Sequence, residues 1–298
     1  MKLCTNEHHG YFSLDMSCLY GCEFDNTPLL GKRFSLTYIA TGSGTFLYNG
    51  QRFSYDAPVL LCINEKESIA ISNQTSMQTI LFHPNIINTA LNFDTVRTFA
   101  DSLSVTEQQD CFYLQPFVKR TDNNYGILFL NEDFKNRIQW LFDNIASQIT
   151  LQDNDFWACR SRSYLIELLS LAYSLAEEKS LLLENQSQNK NDEILCILSF
   201  LKSNMHQKIT ISDLTRQFHL NRTDLSKRFS DYTGETVISY LNKMRIDMAA
   251  TMLRDTKIPI PEIMERVGFQ DYSYFSNTFK KQKGISPRNY RKQYCWMK

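Results

Sequence analysis

The chain has 298 residues, in which 32 Lys and Arg balance 32 Asp and Glu, and 43% of the residues are hydrophobic. That length predicts about two domains. Eight cysteines without regular spacing predict reduced thiols and exclude a disulfide scaffold.

The first ten residues carry neither a charged stretch leading into an apolar one nor an amphipathic arginine-rich pattern, so no secretion signal is read and a cytoplasmic protein is expected. Cys4, His8, His9, Cys18 and Cys22 follow within the first 28 residues. Cys18 and Cys22 have a C-x₃-C spacing, but the next cysteine is the isolated Cys62. With the second close pair missing, no metal and no cofactor are expected, and the region reads as an apolar lead-in strand.

From Phe34 the hydrophobic period is that of strands. Phe34 to Ile39 alternates, Gly42-Ser43-Gly44 turns, and Thr45 to Tyr48 alternates again. Asn49-Gly50 suits a two-residue hairpin, because both positions tolerate positive φ. Gln51 to Tyr55, Val59 to Ile63, Ser68 to Ser72 and Met77 to Phe82 continue the run, which predicts a small antiparallel barrel or jelly roll. Phe34, Tyr38, Phe46, Tyr48, Phe53 and Tyr55 either line an apolar ligand cavity, with hydroxyls as orienting groups, or fill the barrel. Asp56, Glu65 and Glu67 read as solvated loop residues.

Phe99 to Gly126 is mixed, with strand-like stretches at Cys111 to Leu114 and Tyr125 to Leu130. Helical spacing then takes over. Phe134, Ile138, Leu141, Phe142 and Ile145 mark one helix; Phe156, Tyr164, Leu165, Leu168, Leu169, Ala172 and Leu175 mark another, from about Asp155 to Glu178. The most apolar part, Leu165 to Ala176, is interrupted by Glu167 and falls far short of the roughly 20 residues of a membrane span, so no membrane partner is expected. Residues 184–191, polar and rich in Asn and Gln, read as a linker.

Beyond the linker the charge changes sign. Residues 191–298 hold 18 Lys and Arg against 11 Asp and Glu, and the preceding 190 hold 14 against 21. Only the C-terminal part is drawn to phosphates. Ile209 to Leu214 opens a short helix with Thr210 or Ser212 as N-cap, and Asn221 to Phe229 forms a second, closed at Gly234. Val237, Leu241, Met244, Met248 and Met252 mark a longer amphipathic helix from Glu235 to Asp255, roughly 30 Å at about 1.5 Å per residue. Ile260, Ile263 and Val267 then mark a short helix, Gly268 a turn, and Asp271 to Gln282 a helix with Phe275 and Phe279 on one side, ended by Gly284 and Pro287.

The run Gly268-Phe269-Gln270-Asp271-Tyr272-Ser273-Tyr274-Phe275-Ser276, with Phe279-Lys280-Lys281, Gly284-Ile285-Ser286-Pro287 and Tyr290-Arg291, resembles the signature of the AraC family of transcription regulators. Tyr240, Arg245, Ala249 and Leu253 also match that family in type. Thr215 and Met264 depart from it, standing where the family usually has a small alanine. The resemblance implies two helix-turn-helix units that read DNA in successive major grooves. By position it makes Thr223, Ser226, Lys227, Tyr272, Ser273 and Asn277 the base readers. Arg222, Arg228, Lys280 and Lys281 are the expected phosphate contacts. The strand order is similar to the cupin-type N-terminal domain of many such regulators, in which a helix placed like 155–178 often pairs two subunits. Here that helix either pairs subunits or packs as core.

The expected fold is α+β in two domains: residues 1–183, a cupin-like β-barrel with helices that senses or dimerises; 184–191, a linker; and 192–298, an all-α double helix-turn-helix. The expected function is sequence-specific DNA-binding transcription regulation. Its partners are double-stranded DNA, a small-molecule effector, RNA polymerase and a second copy of the chain. The alternative is a cupin-fold enzyme fused to a DNA-binding module. Against it, His83 stands without a His-x-His partner, and neither a Gly-x-Ser-x-Gly elbow nor a phosphate loop is present, so no enzymatic activity is expected.

Overall fold

The computed structural model describes residues 2–4, 15–25, 33–98, 103–120, 126–184 and 192–295. The chain divides into two compact units, Met1–Lys179 and Ser180–Lys298. The first is a sheet with helices and the second is helical.

The sheet of the first unit is organised on one strand. β7 (Ile69–Phe82), 14 residues long, pairs antiparallel with β2 (Met16–Asp25) along both its halves. Its C-terminal half also pairs with β3 (Phe34–Ile39), while its N-terminal half pairs with β4 (Ser43–Tyr48). β4 turns at Asn49-Gly50 into β5 (Gln51–Asp56), with φ of 48° and 80° at the two turn residues, as the dipeptide predicted. β1 (Lys2–Cys4) extends the sheet beyond β2, and β6 (Val59–Ile63) with β8 (Ile127–Phe129) extends it beyond β3. Among the described residues the main path runs from β1 to β8 and does not link back on itself. For the expected small barrel or jelly roll, the described residues show a mixed domain with an antiparallel sheet whose path does not close, the β4–β5 hairpin branching from β7. Which strands pair across long loops is not encoded in a two-residue period.

Both faces of β3 and β6 are buried, while the β4–β5 hairpin leaves one face exposed. Phe46, Tyr48, Tyr55, Leu61, Ile71 and Leu81 belong to a core cluster on one face. On the other, Phe34 packs with Phe82, with Phe93 of α1 (Phe93–Thr98) and with Phe117 of α2 (Val105–Val118). Tyr38 meets Phe142 of α3 (Glu132–Leu151). α2 corrects the expected strand at Cys111 to Leu114. Ser104 and Glu107 form a reciprocal capping box, and Cys111, Leu114 and Phe117 are buried at helical spacing. The expectation for Glu65 and Glu67 is also corrected. Their side chains are only 4% and 9% exposed and are paired with Arg97 and Arg120, partners far along the chain.

α4 (Trp157–Glu184) is longer than its periodicity predicted. Its Leu165, Leu168, Leu169, Ala172 and Leu175 are all buried within the chain, so these side chains are core.

In the second unit, α5 (Asp192–Asn204) precedes α6 (Ile211–Gln217) and α7 (Arg222–Thr233). α8 (Val237–Asp255) leads to α9 (Ile260–Arg266), α10 (Tyr272–Lys283) and α11 (Pro287–Tyr294). The helix ends follow side-chain chemistry. Thr210 caps α6 in a capping box with Asp213, Asn221 caps α7 and Asp271 caps α10. Gly234 and Gly284 end α7 and α10 in the left-handed conformation.

Candidate nucleic-acid interface

The two short helix pairs repeat one another at an offset of 50 residues. Leu225 and Phe229 are the buried side of α7, and Phe275 and Phe279 are the buried side of α10. Phe229 meets Tyr240 edge to face at 5.6 Å and 80°, and Phe279 meets Tyr290 at 5.3 Å and 81°. α11 is thus the short counterpart of the first turns of α8, and each unit is a three-helix module. α8 belongs to both modules, closing the first and supporting the second.

Burying one stripe of each second helix fixes what its other faces offer. Thr223, Ser226 and Lys227 on α7 are exposed, as are Tyr272, Ser273 and Asn277 on α10. All six expected base readers are therefore presented to solvent, three on each module. Arg222, Lys280 and Lys281 are exposed too. Arg228 differs: its guanidinium is ion-paired at 2.5 Å with Glu193 of α5. Lys283, at the end of α10, pairs at 2.6 Å with Asp247 of α8.

The supporting contacts come from α8. The buried Asn242 donates through Nδ2 to the Tyr274 hydroxyl at 2.8 Å, holding the first turn of α10. Arg245 is buried, and its partners among the described residues are backbone carbonyls and an aromatic ring. Its Nε donates to the Met205 carbonyl at 2.7 Å, its Nη2 donates to the Gln207 carbonyl, and its guanidinium lies 5.6 Å from the centre of the Phe269 ring. Burial pulls its pKa down to about 10, so it is still a cation at neutral pH. The capping carboxylate of Asp213 is held below the usual range by the hydroxyl and amide of Thr210. The two departures from the family pattern are accommodated. Thr215 donates to the Ser212 carbonyl at 3.0 Å, and Met264 is buried.

The six aromatic residues expected at a ligand site are not brought together. Phe46, Tyr48 and Tyr55 share one cluster with Phe53 packed against it, while Phe34 and Tyr38 face the helices across the sheet. The hydroxyl of Tyr48 donates to Glu67, which is also gripped by Arg120 at 2.7 Å. The Tyr55 hydroxyl and Ser35 Oγ are buried without a hydrogen-bond partner among the described residues. Sequence reasoning missed Ser35, Asn242 and Glu193. Cys18 is buried in β2, and the side chain of Cys22 lies outside the described residues, as do His8 and His9.

Residues 214–293 match the family described as a helix-turn-helix domain. Over 111 residues the chain is 31% identical to the HTH-type transcriptional activator RhaR of Mannheimia succiniciproducens, covering 37% of this chain and 40% of that protein. Over 131 residues it is 32% identical to the transcriptional regulatory protein HptR of Staphylococcus aureus, covering 38% of this chain and 52% of that one. The chain thus spans about half or less of the length of these relatives. Among solved structures it is similar to the C-terminal domain of AraT, a response regulator from Geobacillus stearothermophilus. That match has 29% identity and a TM-score of 0.35, and covers 36% of this chain and 90% of that one. No helix among the described residues is long and apolar enough to cross a membrane. Residues 214–293 are a helix-turn-helix domain of the AraC type.

Proposed function

We propose that the chain is a sequence-specific DNA-binding transcription regulator that acts by binding and not by bond chemistry. The observation that carries this reading is the pair of capped helices, α7 and α10, each burying one stripe and presenting polar side chains, both packed against the connecting helix α8. At about 1.5 Å per residue, the 19 residues of α8 span about 28 Å, comparable with the roughly 34 Å between major grooves on one face of DNA. Thr223, Ser226, Lys227, Tyr272, Ser273 and Asn277 read base edges, and Arg222, Arg228, Lys280 and Lys281 neutralise phosphates. Residues 192–298 are the DNA-binding domain and 1–183 the sensing and dimerisation domain, joined by 184–191.

The first unit, which we read as cupin-like, takes a small organic effector. What supports this is the apolar cluster holding Tyr55, whose buried hydroxyl has no partner among the described residues. A second copy of the chain and RNA polymerase complete the set of partners. We place self-association on exposed aromatic side chains of the first unit, such as Trp140 at 41% exposure, and not on the buried leucines of α4. A genome-wide map of bound DNA, followed by binding of the full chain to the recovered sites, tests the reading. Salt-dependent binding with preference for those sites over mixed sequence is expected, and binding without preference overturns it.

A further inference from the structure

Arg228 is the expected phosphate contact that already holds an anion. It sits on α7 beside α5, and its Nη1 is 2.5 Å from Oε2 of Glu193, in the first turn of α5. Both side chains are partly open to solvent, at 35% and 55% exposure, so the pair is reachable by a polyanion and is not sealed into the core. At the matching position of the second module, 50 residues after Arg228, stands the uncharged Thr278; the ion pair of α10, Lys283 with Asp247, lies at that helix's far end and not at an expected phosphate contact. An arginine fork binds a carboxylate and a phosphodiester through the same planar donors, so one guanidinium cannot satisfy both fully.

We infer that Glu193 is a phosphate surrogate on the first module: it holds the Arg228 fork in the free protein, and the DNA backbone must displace it to dock α7. The inference rests on the DNA-binding reading above and makes Glu193 a positioning residue that weakens backbone attraction at one module only. Affinity for DNA is thereby kept below what the cations of α7 would give, and base contacts by Thr223, Ser226 and Lys227 count for more of the total. Because α5 is the helix that follows residues 185–191, a shift of α5 would release or restore Arg228.

The experiment uses the full chain and a mixed-sequence DNA duplex, titrated over a series of salt concentrations. Glu193→Gln should bind several-fold more tightly at low salt, with a log–log salt slope steeper by about one released counterion. Glu193→Asp should stay near the parent protein, and Glu193→Gln in an Arg228→Gln background should have no effect. Three results overturn the inference: unchanged or weaker binding by Glu193→Gln, an equal gain in the Arg228→Gln background, or an unaltered slope. If the parent protein itself shows no salt-dependent DNA binding, the DNA-binding reading falls first, and the two failures are thus distinguished.

Discussion

Arg245 of α8 lies against the space that Gly268 leaves open. A Cβ on Gly268 would fall 2.9 Å from Nη2 of Arg245 and 2.3 Å from the carbonyl oxygen of Met205. The same guanidinium binds the Met205 and Gln207 carbonyls, so one buried cation joins the end of α5, the middle of α8 and the turn between α9 and α10.

Substitutions at two glycines should therefore differ in cost. Gly284 has φ of 81° with nothing within 4 Å of a built Cβ, so Gly284→Ala should cost only the left-handed penalty of about 1–2 kcal/mol. Gly268, with φ of 90° and a backbone oxygen in the way, should lose clearly more in Gly268→Ala. Chemical denaturation of residues 192–298 measures both, and equal losses would show that the turn yields freely.

Arg245→Lys removes the fork but keeps the charge. One ammonium cannot reach both carbonyls with the same geometry, so a loss of about 1–3 kcal/mol is expected for the buried acceptor left unpaired. Denaturant midpoints at neutral pH check it, and a variant as stable as its parent would refute the anchoring role.

Leu168 is fully buried. Leu168→Glu should destabilise the first unit by more than the roughly 2–5 kcal/mol typical of a buried leucine cut to alanine, and so yield unfolded or aggregated protein. A folded monomer by circular dichroism and light scattering would instead place that side chain at a subunit interface.

Tyr55→Phe removes a buried hydroxyl that has no partner among the described residues. The free protein should gain up to about 1 kcal/mol, since an unmade hydrogen bond is no longer carried. Compounds that stabilise the parent through that hydroxyl should stabilise the variant less. A destabilised variant would mean that the hydroxyl is satisfied after all.

Alkaline pH gives a further handle on the first unit. Tyr38 and Tyr48 are both raised from 10.0 to about 12, chiefly by burial, with hydrogen bonding to Glu67 adding at Tyr48. Between pH 10 and about 12 the unfolded chain gives up these protons while the folded one keeps them. Stability is therefore full below the unfolded value and falls as pH rises through that window. Tyr38→Phe should flatten the fall seen by denaturation at a series of alkaline pH values.

The second unit was legible because its signals are local. Thr210, Asn221 and Asp271 cap helices within three residues of themselves, and Gly234 and Gly284 end them. The capping box Ser104 to Glu107 was an equally local sign of α2 and was missed because an apolar tetrad was read as a strand. Glu65 and Glu67 were misread for a different reason. Their partners Arg97 and Arg120 stand 32 and 53 residues away, and no local period carries that information. The open path of the sheet is of the same kind, since β7 chooses among β2, β3 and β4 by long-range pairing. The tandem arrangement of two helix-turn-helix units, read through the family resemblance, is also written in the residues themselves: phenylalanine and tyrosine recur eleven apart at Phe229 and Tyr240 and again at Phe279 and Tyr290.

Because α8 serves both modules, the distance between them is counted in residues of one helix. A single residue inserted into α8 would carry the second module about 1.5 Å onward and turn it through about 100°, leaving every helix intact but the two polar faces out of phase. The connecting helix is thus a ruler as well as a support, and under the proposed reading its length in residues matters to recognition as much as the side chains on α7 and α10.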